Sequence, residues 1–323
     1  MSDRARALWC SHEGVYEIAE ETLADPGPGD AVVEAIASAV SRGTERLVLT
    51  GRVPASEAER MRCPHQAGSF PFPVKYGYAL VARVTAGPDD IEGRTVFALH
   101  PHQTRAVLPR DALTPVPPAI PPVRATLAAN METALNVVWD SRAGAGDRVL
   151  VVGAGVVGLL VARLLVRIPG AEVTVTDLDE GRAGVVEALG ATFAPAAALP
   201  RDVDVAINAS GSDAGLRAAM AAAGLEARVV EASWLGAGHA TVELGGAFHS
   251  RRLAIVSSQV GRIPAGRAPR WNTARRLRTA LGLLDDPVLD RLVTHEIRFD
   301  DAPAVLPPLV TGSDALGIVI RYH

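Results

Sequence analysis

The sequence predicts an α/β protein of two domains, a β-rich one in front and a doubly wound parallel sheet behind it. Three observations point there. Residues up to about 122 are dense in short β-like runs separated by Gly, Pro and Asp clusters. From Ala125 to about Gly261, apolar strand-like runs alternate with helical patterns, the order of a parallel sheet. Between them, Pro115–Pro122 is a proline-rich passage that favours extended geometry and suits a domain edge.

The elements follow in order. Ala31–Val40, Tyr78–Val84 and Thr95–Leu99 read as front-domain strands. Val149–Val152, Val173–Thr176, Val203–Asn208, Ala227–Glu231 and Ala254–Ser257 read as strands of the parallel sheet, with helices at Val156–Ile168 and around Asp213–Ala223. The tail carries a basic helix from Trp271 to Leu284, a strand near Thr294–Phe299, a short helix from Ala302 and a last strand, Gly317–Arg321. The expected domains are 1–123, 124–261 and a return of 262–323 to the first domain.

The most informative stretch is Asp147–Gly158, an apolar strand running into Gly153-Ala-Gly155-Val156-Val157-Gly158 and an apolar helix. Gly153 allows the tight turn, Gly155 lets a pyrophosphate approach the backbone, and Gly158 lets the helix pack on the sheet. The first-turn N–H groups, from Val156 and Val157 onward, face the phosphates with the positive end of the helix dipole behind them. Asp177 ends the next strand, where a carboxylate accepts hydrogen bonds from a ribose diol and repels a 2′-phosphate. NAD(H) is therefore favoured, and Arg182 nearby keeps NADP(H) as the alternative. S-adenosylmethionine-dependent methyltransferases also combine a glycine turn with an acid, but the third glycine and the unbroken helix favour a dinucleotide.

Composition sets bounds. A chain of 323 residues, 48% hydrophobic, can bury two cores. A net charge of −4 gives no basic footprint for nucleic acid. Two cysteines are too few for a disulfide framework or a four-cysteine zinc site. The amino-terminal Met-Ser-Asp-Arg-Ala-Arg-Ala has no apolar leader core and no run approaches a membrane span, so a cytoplasmic protein without a membrane partner is expected.

With a β-rich front, a nucleotide fold and a short tail, the chain resembles the medium-chain dehydrogenase/reductase superfamily. Gly77-Tyr78-Ala79 with the strand after it looks like that family's Gly-His-Glu segment. Asp204–Gly211 is similar to its fourth nucleotide-domain strand, and Thr294–Pro303 to its carboxy-terminal Thr-His strand and helix. Ser41–Arg46, with Gly51–Pro54 behind it, resembles the branch that contains bacteriochlorophyllide dehydrogenase. The resemblance implies a GroES-like catalytic domain, a Rossmann domain, and reversible hydride transfer between NAD(H) and a secondary alcohol or ketone in the interdomain cleft. It also implies a homodimer acting on a small-molecule substrate. The family's zinc-ligand positions carry Ser41, Tyr78, Ala79 and Glu132, one ligand where three are needed, so no metal is expected.

Without zinc, a hydrogen-bond donor must polarise the carbonyl and supply a proton. Tyr78 stands at the lost histidine ligand, where a nearby cationic ring would lower its pKa; packing into an emptied metal site is the alternative reading. His100 and His102, one residue apart, form a proton relay or an adventitious metal site if they share a strand face, and are surface histidines on a loop if Pro101 breaks the strand. Thr44 can relay protons to the cofactor ribose, and Glu45 can act there or pair with Arg42 or Arg46. Glu132 and Thr133 should face the nicotinamide, Glu132 as base or as helix cap. Ser210 and Ser233 end strands where ligands bind in open sheets. His249 and His295 are read as structural. An aromatic content of 4% argues against a large planar substrate and leaves a polar metabolite or a sugar-like alcohol open. Two alternatives stay open, an NADPH-dependent enoyl or quinone reductase and a non-catalytic dinucleotide-binding protein.

Overall fold

The computed structural model describes residues 4–322, so Met1–Asp3 of the stretch read for a leader lie outside it. The chain divides into two compact units, Met1–Ala129 with Leu277–His323, and Asn130–Arg276. Both boundaries fall later than the sequence placed them. The proline-rich passage lies inside the first unit, where Pro122 takes the first position of a helix, a place that needs no N–H donor.

The front part of the first unit holds β1 (Arg4–His12), β2 (Val15–Thr22), β3 (Asp30–Val40), α1 (Arg42–Leu49), β4 (Ala67–Gly68), β5 (Val74–Lys75), β6 (Leu80–Ala86), β7 (Thr95–Ala98), β8 (Arg105–Pro109), β9 (Thr114–Pro115) and α2 (Pro122–Ala125). A four-stranded sheet runs β2-β1-β5-β4. β3 alternates buried and half-buried side chains before becoming fully buried, as suits the long strand at the centre of the second sheet. Tyr78 precedes β6 rather than opening it, because Gly77 turns the backbone at φ +124°.

The second unit holds α3 (Ala128–Ser141, begun in the first unit), β10 (Arg148–Val152), α4 (Val156–Leu165), β11 (Glu172–Thr176), α5 (Ala183–Ala188), β12 (Thr192–Phe193), β13 (Val203–Asn208), α6 (Asp213–Ala222), β14 (Ala223–Glu231) and β15 (Ala254–Ser257). Its sheet is parallel throughout, in the order β12-β11-β10-β13-β14-β15. That is the doubly wound Rossmann order, and it reverses direction between β10 and β13, which opens a crevice at their carboxyl ends. Four consecutive residues of β10 are buried, as expected of a strand covered by helices on both faces. The helix expected to reach Ile168 ends at Leu165, and β14 follows α6 without a loop.

The tail adds α7 (Thr273–Leu283, begun in the second unit), β16 (Val293–Arg298), α8 (Ala302–Thr311) and β17 (Gly317–Arg321). β17 pairs with β3, giving the larger sheet of the first unit the order β16-β17-β3-β6-β7-β9, with β8 also on β3. The tail therefore completes the front domain's own sheet. Among the described residues, no helix is long and apolar enough to cross a membrane.

Candidate functional site

In the nucleotide-fold unit the glycine turn follows β10 directly. Gly153 sits at φ +106°, and a Cβ there would lie 2.8 Å from the backbone of Ala209 and Ser210. A Cβ on Gly158 would lie 2.0 Å from the Gly153 carbonyl oxygen, so this glycine lets α4 start hard against the turn. Gly155 differs. A Cβ there meets nothing within 4 Å, and Gly155 is exposed while Val156 and Val157 are half-buried. Only two of the three glycines are needed by the fold itself; the third leaves backbone N–H groups open at a helix N-terminus, as an anion site requires.

This contrast makes a prediction. Gly158→Ala should fail to fold or melt far lower, whereas Gly155→Val should melt within about 1 kcal/mol of the parent. Calorimetry on both variants checks it, and the Gly155 variant should bind dinucleotide at least about tenfold more weakly, because the added side chain occupies the phosphate's place.

Asp177 follows β11. Its Oδ2 accepts the Ala154 N–H at 2.6 Å and its Oδ1 the Asp179 N–H at 2.9 Å, so the carboxylate is held beside the glycine turn. The next residue, Leu178, is 93% exposed, an apolar side chain with no protein cover. Arg182 donates from Nε to Asp179 at 3.0 Å and is largely buried, so it is already engaged in an ion pair.

The ends of β13 and β14 are joined by a network centred on Asn208, which is fully buried. Its Nδ2 donates to Glu231 at 2.6 Å, and its Oδ1 accepts from the Ser210 hydroxyl at 2.7 Å. Ser233 Oγ donates to the Asn208 carbonyl at 3.2 Å and accepts the Gly211 N–H at 2.9 Å. Ser210 and Ser233 thus shape the loop across from the glycine turn. Asn208 and Glu231 were missed in the sequence reading; their signal was a polar residue ending each of two adjacent apolar strands.

Glu132, read as a base or a helix cap, is engaged by a cation. It is buried on α3 and paired with Arg276 Nε at 3.0 Å, and Arg276 also donates to Asn136 Oδ1 at 2.7 Å. Burial raises its pKa and Arg276 pulls it back down. Thr133, beside it, is half-buried.

In the β-rich unit, the Tyr78 hydroxyl is hydrogen-bonded to Ser41 and Thr44 at the start of α1. Tyr76 meets its ring edge-on at 5.9 Å, and Phe70 lies against Tyr76. The expectation of a lowered Tyr78 pKa does not hold for the protein alone. Burial pushes the phenol up to about 12, with the Ser41 and Thr44 bonds opposing and Glu45 adding to the rise. Tyr78 is therefore a neutral hydrogen-bond donor. The Cys63 thiol is likewise pushed up to about 12 by burial, which holds it in the neutral form.

The two histidines do not form a relay. Neither lies on a strand, since β7 ends at Ala98, and their ring nitrogens have separate partners. They are not surface residues either. His102 is 1% exposed, with Nδ1 2.7 Å from Ser38 Oγ and Nε2 3.1 Å from Glu45 Oε2. Ser38 continues the chain to the Tyr322 hydroxyl at 2.9 Å. Both ring nitrogens of His102 are thus engaged. His102 holds Glu45, whose other oxygen accepts the Ser41 N–H at 2.7 Å and so fixes the turn presenting Thr44. Glu45 pairs with His102 and not with Arg42 or Arg46, and Arg42 donates to the Gly312 and Ala315 carbonyls.

His100 instead packs against His65 with ring centroids 5.3 Å apart, and burial lowers its pKa to about 3. An unfolded histidine titrates near 6.5. The contribution of His100 is therefore complete above that pH and is lost as the pH falls toward about 3, because the unfolded chain binds the extra proton. His100→Gln should flatten the loss of stability in this window by up to about 1.4 kcal/mol per pH unit, read from urea midpoints.

No family model and no curated protein sequence matches this chain. Solved structures do. A Sinorhizobium meliloti protein described as a zinc-binding dehydrogenase and bound to NADP superposes with a TM-score of 0.79 at 18% identity, covering 99% of this chain and 100% of that one. The 2R,3R-butanediol dehydrogenase of Bacillus subtilis gives 0.78 at 16% identity, covering 99% and 100%. The acetophenone reductase of Geotrichum candidum, in complex with NAD, gives 0.78 at 16%, covering 100% and 98%. The chain has the two-part fold of the medium-chain dehydrogenases, a GroES-like unit and a Rossmann unit, over its full length. At these identities it is the fold that is shared.

Proposed function

We propose that this protein is an NAD(H)-dependent oxidoreductase interconverting a secondary alcohol and a ketone without catalytic zinc. The observation that carries the reading is the open Gly155 step at the crevice of a Rossmann sheet, with Asp177 held beside it. The residues fit a dinucleotide. Gly155, Val156 and Val157 would take the pyrophosphate, Asp177 the adenosine ribose diol and Leu178 the adenine face, with Thr133, Ser210 and Ser233 beside the rest of the cofactor. The Asp177 carboxylate favours NAD(H), and Arg182, held by Asp179, is not preset for a 2′-phosphate. The residues do not fit zinc, since Ala79 has no ligand atom and Glu132 is committed to Arg276.

A bound nicotinamide supplies or accepts the hydride. Tyr78 does the protein's share: its neutral phenol donates to the carbonyl oxygen and gives up its proton as that oxygen becomes an alkoxide, a stronger base. Thr44 and Ser41, hydrogen-bonded to Tyr78, are placed to return the proton. In the alcohol direction the same steps run in reverse. His102 and Glu45 hold this arrangement without touching the reacting atoms. A second copy pairing along the edge strand β15 is proposed as the assembly, consistent with the half-exposed middle of that strand.

The test is transfer of label from deuterated NADH to the carbonyl carbon across a panel of ketones, aldehydes and activated enones. Label at a ketone carbon supports the proposal. Label only at an enone β-carbon assigns the enoyl reductase reaction instead, and tight NADH binding with no transfer assigns a non-catalytic role.

A further inference from the structure

The β-rich unit contains a cavity of about 270 Å³ lined by Leu23, His65, Gln66, Lys75, His100 and Gln103, among others. Ser41, Thr44 and Tyr78 are not in its wall, so it is separate from the residues assigned to hydride transfer. Four features of the wall bear on what it holds.

The first is strain. Cys63–Gln66 is a turn closed by the Gln66 N–H on the Cys63 carbonyl at 3.2 Å, with Pro64 second and His65 third at φ +59°. That third position is one glycine fills at least cost, and a side chain there is strained. The strain brings the His65 ring against His100. Second, His100 Nδ1 lies 2.9 Å from the Pro101 carbonyl, which only accepts; Nδ1 therefore carries the proton and Nε2 the lone pair. Third, Gln66 spends Oε1 on the Cys63 N–H, and its buried Nε2 has no partner. Fourth, Lys75 is largely buried and gives two of its three N–H bonds to Glu21 at 2.6 Å and Gln103 at 2.7 Å.

These features discriminate among ligands. A carboxylate or phosphate only accepts hydrogen bonds, so it meets the His100 lone pair with nothing to give, and Glu21 already neutralises Lys75. A metal ion would find two imidazoles beside an ammonium, and no group of three metal-ligating side chains occurs among the described residues. A hydroxyl group matches: it donates to His100 Nε2 and accepts from Gln66 Nε2 or from the third proton of Lys75. Several hydroxyls on one small frame match several of these groups together. We propose that this cavity is a binding site for a small uncharged polyol or sugar, held by His65, Gln66, Lys75 and His100.

The test is a titration of the whole protein, without cofactor, with xylitol, following the side-chain nitrogen resonances of His65 and His100 by NMR. Both should shift saturably. Gln66→Met should weaken xylitol at least about tenfold, the value of one hydrogen bond to a buried group. His65→Gly should weaken it comparably while melting no lower than the parent, because glycine relieves the turn. The proposal would be overturned by no saturable shift, by shifts unchanged in Gln66→Met, or by stoichiometric zinc moving both histidines where xylitol does not. A His65→Gly protein that melts lower would show the turn to be structural and equally contradict it. NADH binding, measured on the same samples, separates failure here from failure of the oxidoreductase reading.

Discussion

Tyr78→Phe should lower turnover about 10²–10³-fold, the usual cost of removing one donor to a developing oxyanion, and leave NADH affinity unchanged. The phenol, hydrogen-bonded to Ser41 and Thr44, is the proposed donor to the carbonyl oxygen, and it is neutral because burial pushes its pKa up to about 12. Phenylalanine keeps the edge contact with Tyr76 and removes only the hydroxyl, so the stability cost should be near 1 kcal/mol. Steady-state rates on the substrate found in the labelling screen, with a cofactor titration of the same variant, check both halves. A variant with full activity would make Tyr78 a packing residue.

Arg276→Met should destabilise the fold by about 3–5 kcal/mol at neutral pH, because it leaves the buried Glu132 carboxylate without a counter-ion. Glu132 already has a raised pKa, and losing Arg276 raises it further. Acidification should therefore protonate Glu132 and recover part of the loss. Adding Glu132→Gln to Arg276→Met should recover most of it at neutral pH. Urea unfolding of the two single variants and the double variant measures this coupling. If Glu132 were instead a catalytic base, Glu132→Gln alone would abolish turnover with little change in stability.

The parts of the molecule that were legible in the sequence are those written in consecutive residues. Gly153, Gly155 and Gly158 with the apolar strand before them specify the turn, and Asp177 at the end of β11 lies beside it. Partnerships across long separations were not legible. Nothing local couples Glu132 to Arg276, or Ser38 to both His102 and Tyr322, since tertiary packing brings them together. Hence Glu132 resembled a ligand, and His100 and His102 resembled a pair. The reading of those histidines failed on local grounds as well, because β7 ends at Ala98 and neither histidine keeps the strand period that would have aligned them. The Cys63-Pro64-His65-Gln66 turn was not read from the sequence, because nothing about a histidine after a proline announces the positive φ that the structure gives His65. Tyr78 was read as opening a strand and lies just before β6, and its burial, and so the direction of its pKa shift, depends on neighbours that composition does not reveal.

The central claim is that the Rossmann unit binds NAD(H) through the open Gly155 step and the Asp177 carboxylate. Titration of the purified protein with NADH and with NADPH, followed by nicotinamide fluorescence, tests it most directly. The account predicts NADH binding at least about tenfold tighter than NADPH, one to two orders of magnitude weaker in Gly155→Val, with the preference reduced in Asp177→Ala. Tighter binding of NADPH, or equal binding of both cofactors by the parent and by Asp177→Ala, would contradict it.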